Sequence, residues 1–299
     1  PTILNRESPE LAMARHTEPM FRLSSGLHST MHICDKSINR LYSFRGICRR
    51  IMDIFEGKKA VVVGGSGGIG AMLSLQLAKA GAQLAVHGGH NTEKLSRLME
   101  RLREVSPRTV GHQAIVQELS VDTMSGLPAS PLMEQIRQAD ILCVAFGPFL
   151  QKSLEETSPT EWMETSILNY ALPGTCVSAA LPHMKENHWG RILLFGGTLT
   201  HNVRGYRTNA AYGGAKTAVC SLVKSTALQY SSCGITCNGI LPGFTETEYQ
   251  SAAQLDLLAK KNPSGFIVPA EAVAAAAMTL LSIREINGAL LNIDDGWHP

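Results

Sequence analysis

The stretch that decides the fold is Val61-Val62-Val63-Gly64-Gly65-Ser66-Gly67-Gly68-Ile69-Gly70. Three β-branched residues run straight into a glycine-rich turn. Residues 71–80 follow, with apolar side chains at Met72, Leu73, Leu75 and Leu77. The pattern predicts a buried strand, a tight turn and a helix N-terminus in succession. Glycines let the backbone turn sharply and remove the Cβ atoms that would block close approach. The first N–H groups of a helix have no intrahelical partners, and the helix dipole favours an anion beside them. Gly64, Ser66, Gly67, Gly68, Ile69 and Gly70 are therefore candidates for holding a phosphate. The competing reading is a plain surface turn; the strand before it and the helix after it favour the phosphate.

Outward from this unit, strands and helices alternate. Strands are expected at 60–63, 83–86, 110–115, 140–145, 191–195, 236–241 and 289–293. Helices are expected at 92–105, 161–181, 211–230 and 271–282. Such alternation implies an α/β fold with a doubly wound parallel sheet covered on both faces. Ligands of such sheets bind at the carboxyl ends of the strands, near the point where strand order reverses.

Residues 1–54 read differently. Arginines at 6, 15, 22, 40, 45, 49 and 50 are spread among acids, with no clean periodicity and no apolar centre for a secretory signal. The expectation is an N-terminal extension, poorly ordered, whose last part from Ile38 to Ile54 could form a docking helix. One dinucleotide-binding catalytic domain is expected over 55–299. The net charge of +2 gives no reason to invoke nucleic acid. No apolar run is long enough to span a bilayer, so no membrane partner is expected. Seven cysteines, scattered without a paired framework, suit a reducing, cytoplasmic setting. Cys233 and Cys237 are read as ordinary thiols rather than a redox or metal pair.

Four ordered motifs identify the family that residues 57–296 resemble. Gly64, Gly68, Ile69 and Gly70 fit a G-x-x-x-G-I-G cofactor turn. Tyr212-Gly-Gly-Ala-Lys216 fits a Y-x-x-x-K pair. Asn238 to Gly243, followed by Thr247, fits N-x-x-x-P-G-x-x-x-T. Gly288 to Gly296 is similar to a terminal G-x-x-x-x-x-D-G-G strand. Together they resemble the short-chain dehydrogenase/reductase family, and within it the 3-oxoacyl carrier-protein reductase type. The resemblance implies hydride transfer between a nicotinamide cofactor and a carbonyl or secondary-alcohol substrate, in a homodimer or homotetramer. The alternative is a cofactor-binding regulatory or structural protein with weak or no turnover.

Tyr212 and Lys216, four apart, share one helix face. A phenol titrates near about 10, and a nearby ammonium would lower that value. The phenol could then exchange a proton with a carbinol oxygen. The resemblance adds that both residues touch the cofactor, that Asn169 holds a relay water, that Gly147 lets backbone approach the cofactor, and that Pro242, Gly243, Thr245 and Thr247 border the nicotinamide. It also implies a substrate flap over 248–269, with Phe244 and Tyr249 near the pocket.

Two positions depart from the family. Gly197 stands where a catalytic serine is expected, and Thr198 is the candidate to supply the missing hydroxyl. Val144-Ala145-Phe146-Gly147 replaces the usual Asn-Asn-Ala-Gly, whose side chains normally brace adjacent strands. After the second strand, His87-Gly88-Gly89-His90 has no acid for a ribose, and His90 falls where a 2′-phosphate partner would stand. NADP is therefore expected in preference to NAD. His87 and His90 have no third ligand in sight, so no metal is expected.

Overall fold

The computed structural model describes residues 54–106, 109, 111–247 and 250–297. The expected extension, the docking helix before Ile54, Val110 and Tyr249 lie outside the described residues. Seven strands make one fully parallel sheet: β1 (Lys59–Val63), β2 (Gln83–Gly88), β3 (Gln113–Val116), β4 (Ile141–Val144), β5 (Gly190–Phe195), β6 (Ile235–Pro242) and β7 (Leu290–Ile293). Their order is β3-β2-β1-β4-β5-β6-β7, so strand order reverses between β1 and β4. Ala60 faces Leu84 on one side and Ile141 on the other.

Among the described residues the α-helices are α1 (Gly68–Lys79), α2 (Thr92–Val105), α3 (Pro131–Ile136), α4 (Pro159–Ser166), α5 (Leu172–Glu186), α6 (Ala210–Tyr230), α7 (Ala252–Ala259) and α8 (Ala270–Ser282). Alternate residues of β1 enter opposite layers. Ala60 and Val62 pack with Leu73 of α1, Leu98 of α2 and Val273 of α8. Val61 and Val63 pack with Ile136 of α3, Val177 of α5 and Val219 of α6. Both faces of the strand are covered, which is why it reads as an unbroken apolar run rather than an alternation.

Two differences from the sequence reading have local causes. The short helix α3 was not expected; Ser130 caps it through Met133 N at 3.3 Å, and Pro131 opens it, a start signal that was present in the sequence. The expected single helix over 161–181 is α4 and α5 joined by one wide π-turn, Ile167–Ala171. Pro173 explains the break. It cannot donate to the carbonyl of Asn169, and its ring would clash with that carbonyl in a regular helix. The widened turn therefore falls on Asn169. At the start of α4, Ser158 and Glu161 cap each other reciprocally, with Pro159 in the first turn.

Asn238 acts as a brace between elements. Its Nδ2 donates to Leu280 O (3.3 Å) and Ile286 O (2.7 Å), and its Oδ1 accepts from Ala289 N (2.9 Å). Asn287 supports the same edge, accepting from Cys237 N and donating to Ile235 O. Arg191 is buried at the start of β5 and donates to the carbonyls of Leu281, Gly190 and Gly234. Its guanidinium lies 4.5 Å over the Trp189 ring. The strands β5, β6 and β7 and the end of α8 are thus tied by polar side chains reaching backbone.

Candidate active site

A parallel sheet puts the carboxyl ends of all its strands on one rim. Gly64 follows β1, His90 follows β2, Gly147 follows β4, the 196–200 loop follows β5, and Gly243, Thr245 and Thr247 follow β6. At the switch point the backbone is packed so closely that side chains are excluded. A Cβ on Gly64 (φ +76°) would lie 2.8 Å from Phe146 N, and one on Gly70 would lie 2.2 Å from Gly64 O. Gly68 also has a positive φ, of 49°. α1 begins at Gly68 behind Gly67, a cap with no side chain to offer, and its first turn carries no acid. This is a backbone cradle open to an anion, and it fits a dinucleotide pyrophosphate. Ser66 lies over the end of β2: a Cβ on Gly88 would meet its Cβ at 2.9 Å. His90 is exposed on the turn into α2, where Asn91 caps Lys94 N.

His87, set aside in the sequence as a metal ligand, has a different task. It is fully buried. Its Nδ1 accepts from Gly64 N (3.1 Å), so Nε2 carries the proton and donates to Gln117 O (2.8 Å). Its ring also meets Phe146 edge-on, with centroids 6.2 Å apart. Burial holds the imidazole below its usual value, against the Gln117 bond. One neutral side chain thus ties the glycine turn to the end of β3. Phe146, which follows β4, packs against Gly64 and the His87 ring at the same turn. Among the described residues no group of three or more His, Cys, Asp or Glu could hold a metal ion.

Asn169 and Lys216 converge beside Gly147, with Tyr212 next to Lys216. A Cβ on Gly147 would fall 2.4 Å from Asn169 Oδ1 and 2.8 Å from Lys216 Nζ. Asn169 is fully buried; its Nδ2 donates to Pro148 O (3.0 Å) and its Oδ1 has no protein partner. Lys216 Nζ donates to Phe195 O (3.0 Å) and stands 5.6 Å from the centre of the Tyr212 ring. Burial pulls the Lys216 ammonium down to about 8, offset in part by Cys220. Burial also pushes the Tyr212 phenol up to about 12. This corrects the expectation that the ammonium would lower the phenol: desolvation outweighs a cation that is bonded to Phe195 O instead. Phe149, 61% exposed, sets its ring edge-on to Tyr212, with centroids 4.9 Å apart.

Thr198, the candidate for the missing hydroxyl, lies at the end of β5. Its hydroxyl donates to Pro242 O (3.0 Å), which ties the loop to the end of β6. Thr200 is likewise engaged, donating to Gly197 O (2.8 Å) and accepting from Gly197 N (3.1 Å). Gly197 does occupy the position facing the phenol: its Cβ would lie 3.9 Å from Tyr212 Cε1. Beyond β6, Thr245 donates to Gly243 O (3.1 Å), and Thr247 is bonded to Gln250 Oε1. Phe244, expected near the pocket, packs on Trp297 with ring centroids 4.4 Å apart. The segment expected as a flap carries α7, capped by Ser251 and Gln254, and no residue of that helix is buried.

Comparison with known proteins agrees with this geometry. The family model described as short chain dehydrogenase matches residues 58–257. The chain is 27% identical over 265 residues to D-beta-hydroxybutyrate dehydrogenase of Cupriavidus necator, covering 82% of this chain and 99% of that protein. It is 27% identical over 246 residues to the 3-oxoacyl-[acyl-carrier-protein] reductase FabG of Rickettsia bellii, covering 81% and 97%. Among solved structures, the angucycline C-6 ketoreductase LanV with bound NADP aligns with a TM-score of 0.71 at 24% identity, over 81% of this chain and 96% of that one. The chain belongs to the short-chain dehydrogenase/reductase family of oxidoreductases, which act on hydroxyl and carbonyl groups.

Proposed function

We propose that this protein reduces a carbonyl group, or oxidises the corresponding secondary alcohol, with a nicotinamide cofactor, NADP in preference to NAD. The observation that carries the reading is the meeting of Lys216 and Asn169 at Gly147, with the Tyr212 ring 5.6 Å from Lys216 Nζ, on the rim that also holds the glycine turn. Gly64, Ser66, Gly67, Gly68, Ile69, Gly70, His90, Gly147, Pro242, Gly243, Thr245 and Thr247 would hold the cofactor, with Tyr212 and Lys216 at its reactive end. Bound there, the cofactor supplies or accepts the hydride. Tyr212 gives its proton to the carbonyl oxygen; burial, which pushes the phenol up to about 12, keeps it protonated at neutral pH and makes it a weaker acid, so the proton moves as charge develops on that oxygen. Lys216 stabilises the phenolate left behind, and the partnerless Oδ1 of Asn169 is placed to receive a water that returns the proton. Thr198 serves by positioning the loop against Pro242.

The NADP preference rests on the missing acid at Gly89 and on exposed His90; NADP bound in LanV is in keeping with it. Pairing through helices is part of the proposal. Met163 on α4 and Leu228 on α6 are exposed apolar residues that a second copy would cover. Residues 1–54 are read as an extension outside the catalytic domain, and a cytoplasmic setting follows from the cysteine usage.

The test is Tyr212→Phe. Turnover should fall by about 10²–10⁴, with NADPH binding, followed by fluorescence titration, unchanged. Undiminished turnover would remove Tyr212 from the chemistry. A second reading, cofactor binding without turnover, is favoured by Gly197; tight NADPH binding with no ketone reduced would support it.

A further inference from the structure

A ketone oxygen has two lone pairs, and the alkoxide forming on it is stabilised best when both meet donors. Tyr212 can serve one. The end of β5 is where a second hydroxyl would come from, and none there is available. Gly197 has no side chain. Thr198 gives its proton to Pro242 O, and Thr200 gives its own to Gly197 O.

Nothing in the backbone demands this. Gly197 is not among the glycines with positive φ. A Cβ added to it would rest 3.5 Å from Thr200 Cγ2 and 3.9 Å from Tyr212 Cε1, ordinary contacts that a serine could accept. Its neighbour Gly196 is different: a Cβ there would strike Leu241 Cδ2 at 2.4 Å. The space beside the phenol is therefore left open, and the exposed ring of Phe149 stands edge-on to that phenol. An open position, a missing donor and an exposed aromatic ring meet at one tyrosine.

We infer that the substrate brings the second donor itself: the site takes planar aryl ketones whose carbonyl oxygen already accepts a hydrogen bond from an adjacent hydroxyl of the same molecule. This rests on the reading of Tyr212 as the acid. The step balances without a further reactant. A hydride from the reduced nicotinamide adds to the carbonyl carbon, and the π pair of the C=O bond moves to oxygen. Tyr212 gives that oxygen a proton, and the ketone becomes a secondary alcohol as the nicotinamide is oxidised. The neighbouring hydroxyl keeps its proton throughout and stabilises the charge as it forms. The aromatic plane of the ketone lies against Phe149.

The experiment compares ortho-hydroxyacetophenone, its ortho-methoxy ether and unsubstituted acetophenone as substrates with NADPH. The proteins are wild type, Gly197→Ser and Gly197→Ala, each first shown by fluorescence titration to bind NADPH as wild type does. Wild type should favour the hydroxy ketone over the methoxy ether by about tenfold or more in kcat/KM, since one oxyanion donor is worth at least that much. Gly197→Ser should narrow the gap by raising kcat on the other two ketones, whereas Gly197→Ala, which fills the space without a donor, should not. Equal kcat/KM for the hydroxy and methoxy compounds in wild type overturns the inference. So does no turnover of the hydroxy ketone, or a serine that raises all three in proportion. Full activity of Tyr212→Phe on the hydroxy ketone would instead overturn the assignment of the acid.

Discussion

On the β1–β4 side of the rim, a Cβ added to Gly64, Gly65, Gly70 or Gly147 would fall 2.8, 2.6, 2.2 or 2.4 Å from its nearest neighbour. On the β5–β6 side, the nearest atom to a Cβ on Gly197 would be 3.5 Å away. The first side is a mould packed tightly around its glycines, by main chain at Gly64 and Gly70 and by the side chains of Val86 and Asn169 at Gly65 and Gly147, so these glycines are required by what already surrounds them. On the second side Gly196 and Gly243 are hemmed in as closely, by Leu241 at 2.4 Å and Asp294 at 2.8 Å, but at Gly197 the glycine is a choice about what enters. A ligand common to a whole family can be held by a mould of this kind. A substrate peculiar to one member has to be met by side chains, and Gly197 is where this fold leaves room for one.

The sharpest way to break this contrast is Gly70→Ala. The colliding atom is a backbone oxygen, which cannot rotate away, so the turn itself must shift. Overpacking of this kind costs about 1–3 kcal/mol, and the displaced turn should lose NADPH. Thermal melting and fluorescence titration together check this. A variant that binds NADPH as wild type does would show that the cradle is more plastic than its packing implies.

Next in size is Lys216→Met, which separates function from stability on the other side. The folded state holds the ammonium down to about 8, well below the ordinary lysine value of 10.5. The unfolded chain therefore binds that proton more tightly, and burying the charged lysine costs stability throughout the range below about 8. The cost is on the order of 3 kcal/mol. Methionine removes it while orphaning the Phe195 carbonyl, which costs about 1–3 kcal/mol. Turnover should be lost and the melting temperature should hold or rise. A melting temperature several degrees lower would make Lys216 a structural residue first.

The legibility of the chain follows the same division. A mould this tight advertises itself as glycine, so the turn at 64–70 and the approach at Gly147 could be read directly, as could the helical spacing of Tyr212 and Lys216. Pro173 carried a readable signal for the π-turn that aims Asn169. What could not be read were partners distant in sequence. Thr198 is bonded to Pro242, His87 to Gly64 and Gln117, and Asn238 to Leu280, Ile286 and Ala289. A hydroxyl's availability depends on competition among such partners, which is why Thr198 looked free in the sequence. The shift of Tyr212 was misjudged for a related reason: spacing reports the nearby ammonium, and only the fold reports the burial that outweighs it.

His87 is where the mould depends on a side chain that titrates, and acid is the way to probe it. Nδ1 accepts from Gly64 N only while the imidazole is neutral; protonation would set one N–H against another. Its folded value lies below 6.5. Between these two values the unfolded chain takes up a proton that the folded chain refuses. The stability it contributes is therefore whole above pH 6.5 and is lost as pH falls through the folded value, at about 1.4 kcal/mol per unit. His112, whose Nδ1 accepts from Leu84 N and whose value is also lowered by burial, adds a loss of the same sign. His87→Asn keeps an acceptor for Gly64 without a titrating ring, at a cost of about 1 kcal/mol at neutral pH from the lost Gln117 bond. From pH 6.5 to about 5, the fall in melting temperature and in NADPH affinity should be shallower in His87→Asn than in wild type, and not abolished, because His112 still titrates. Identical slopes would mean that the glycine turn keeps its shape without His87, and that the mould is held by packing alone.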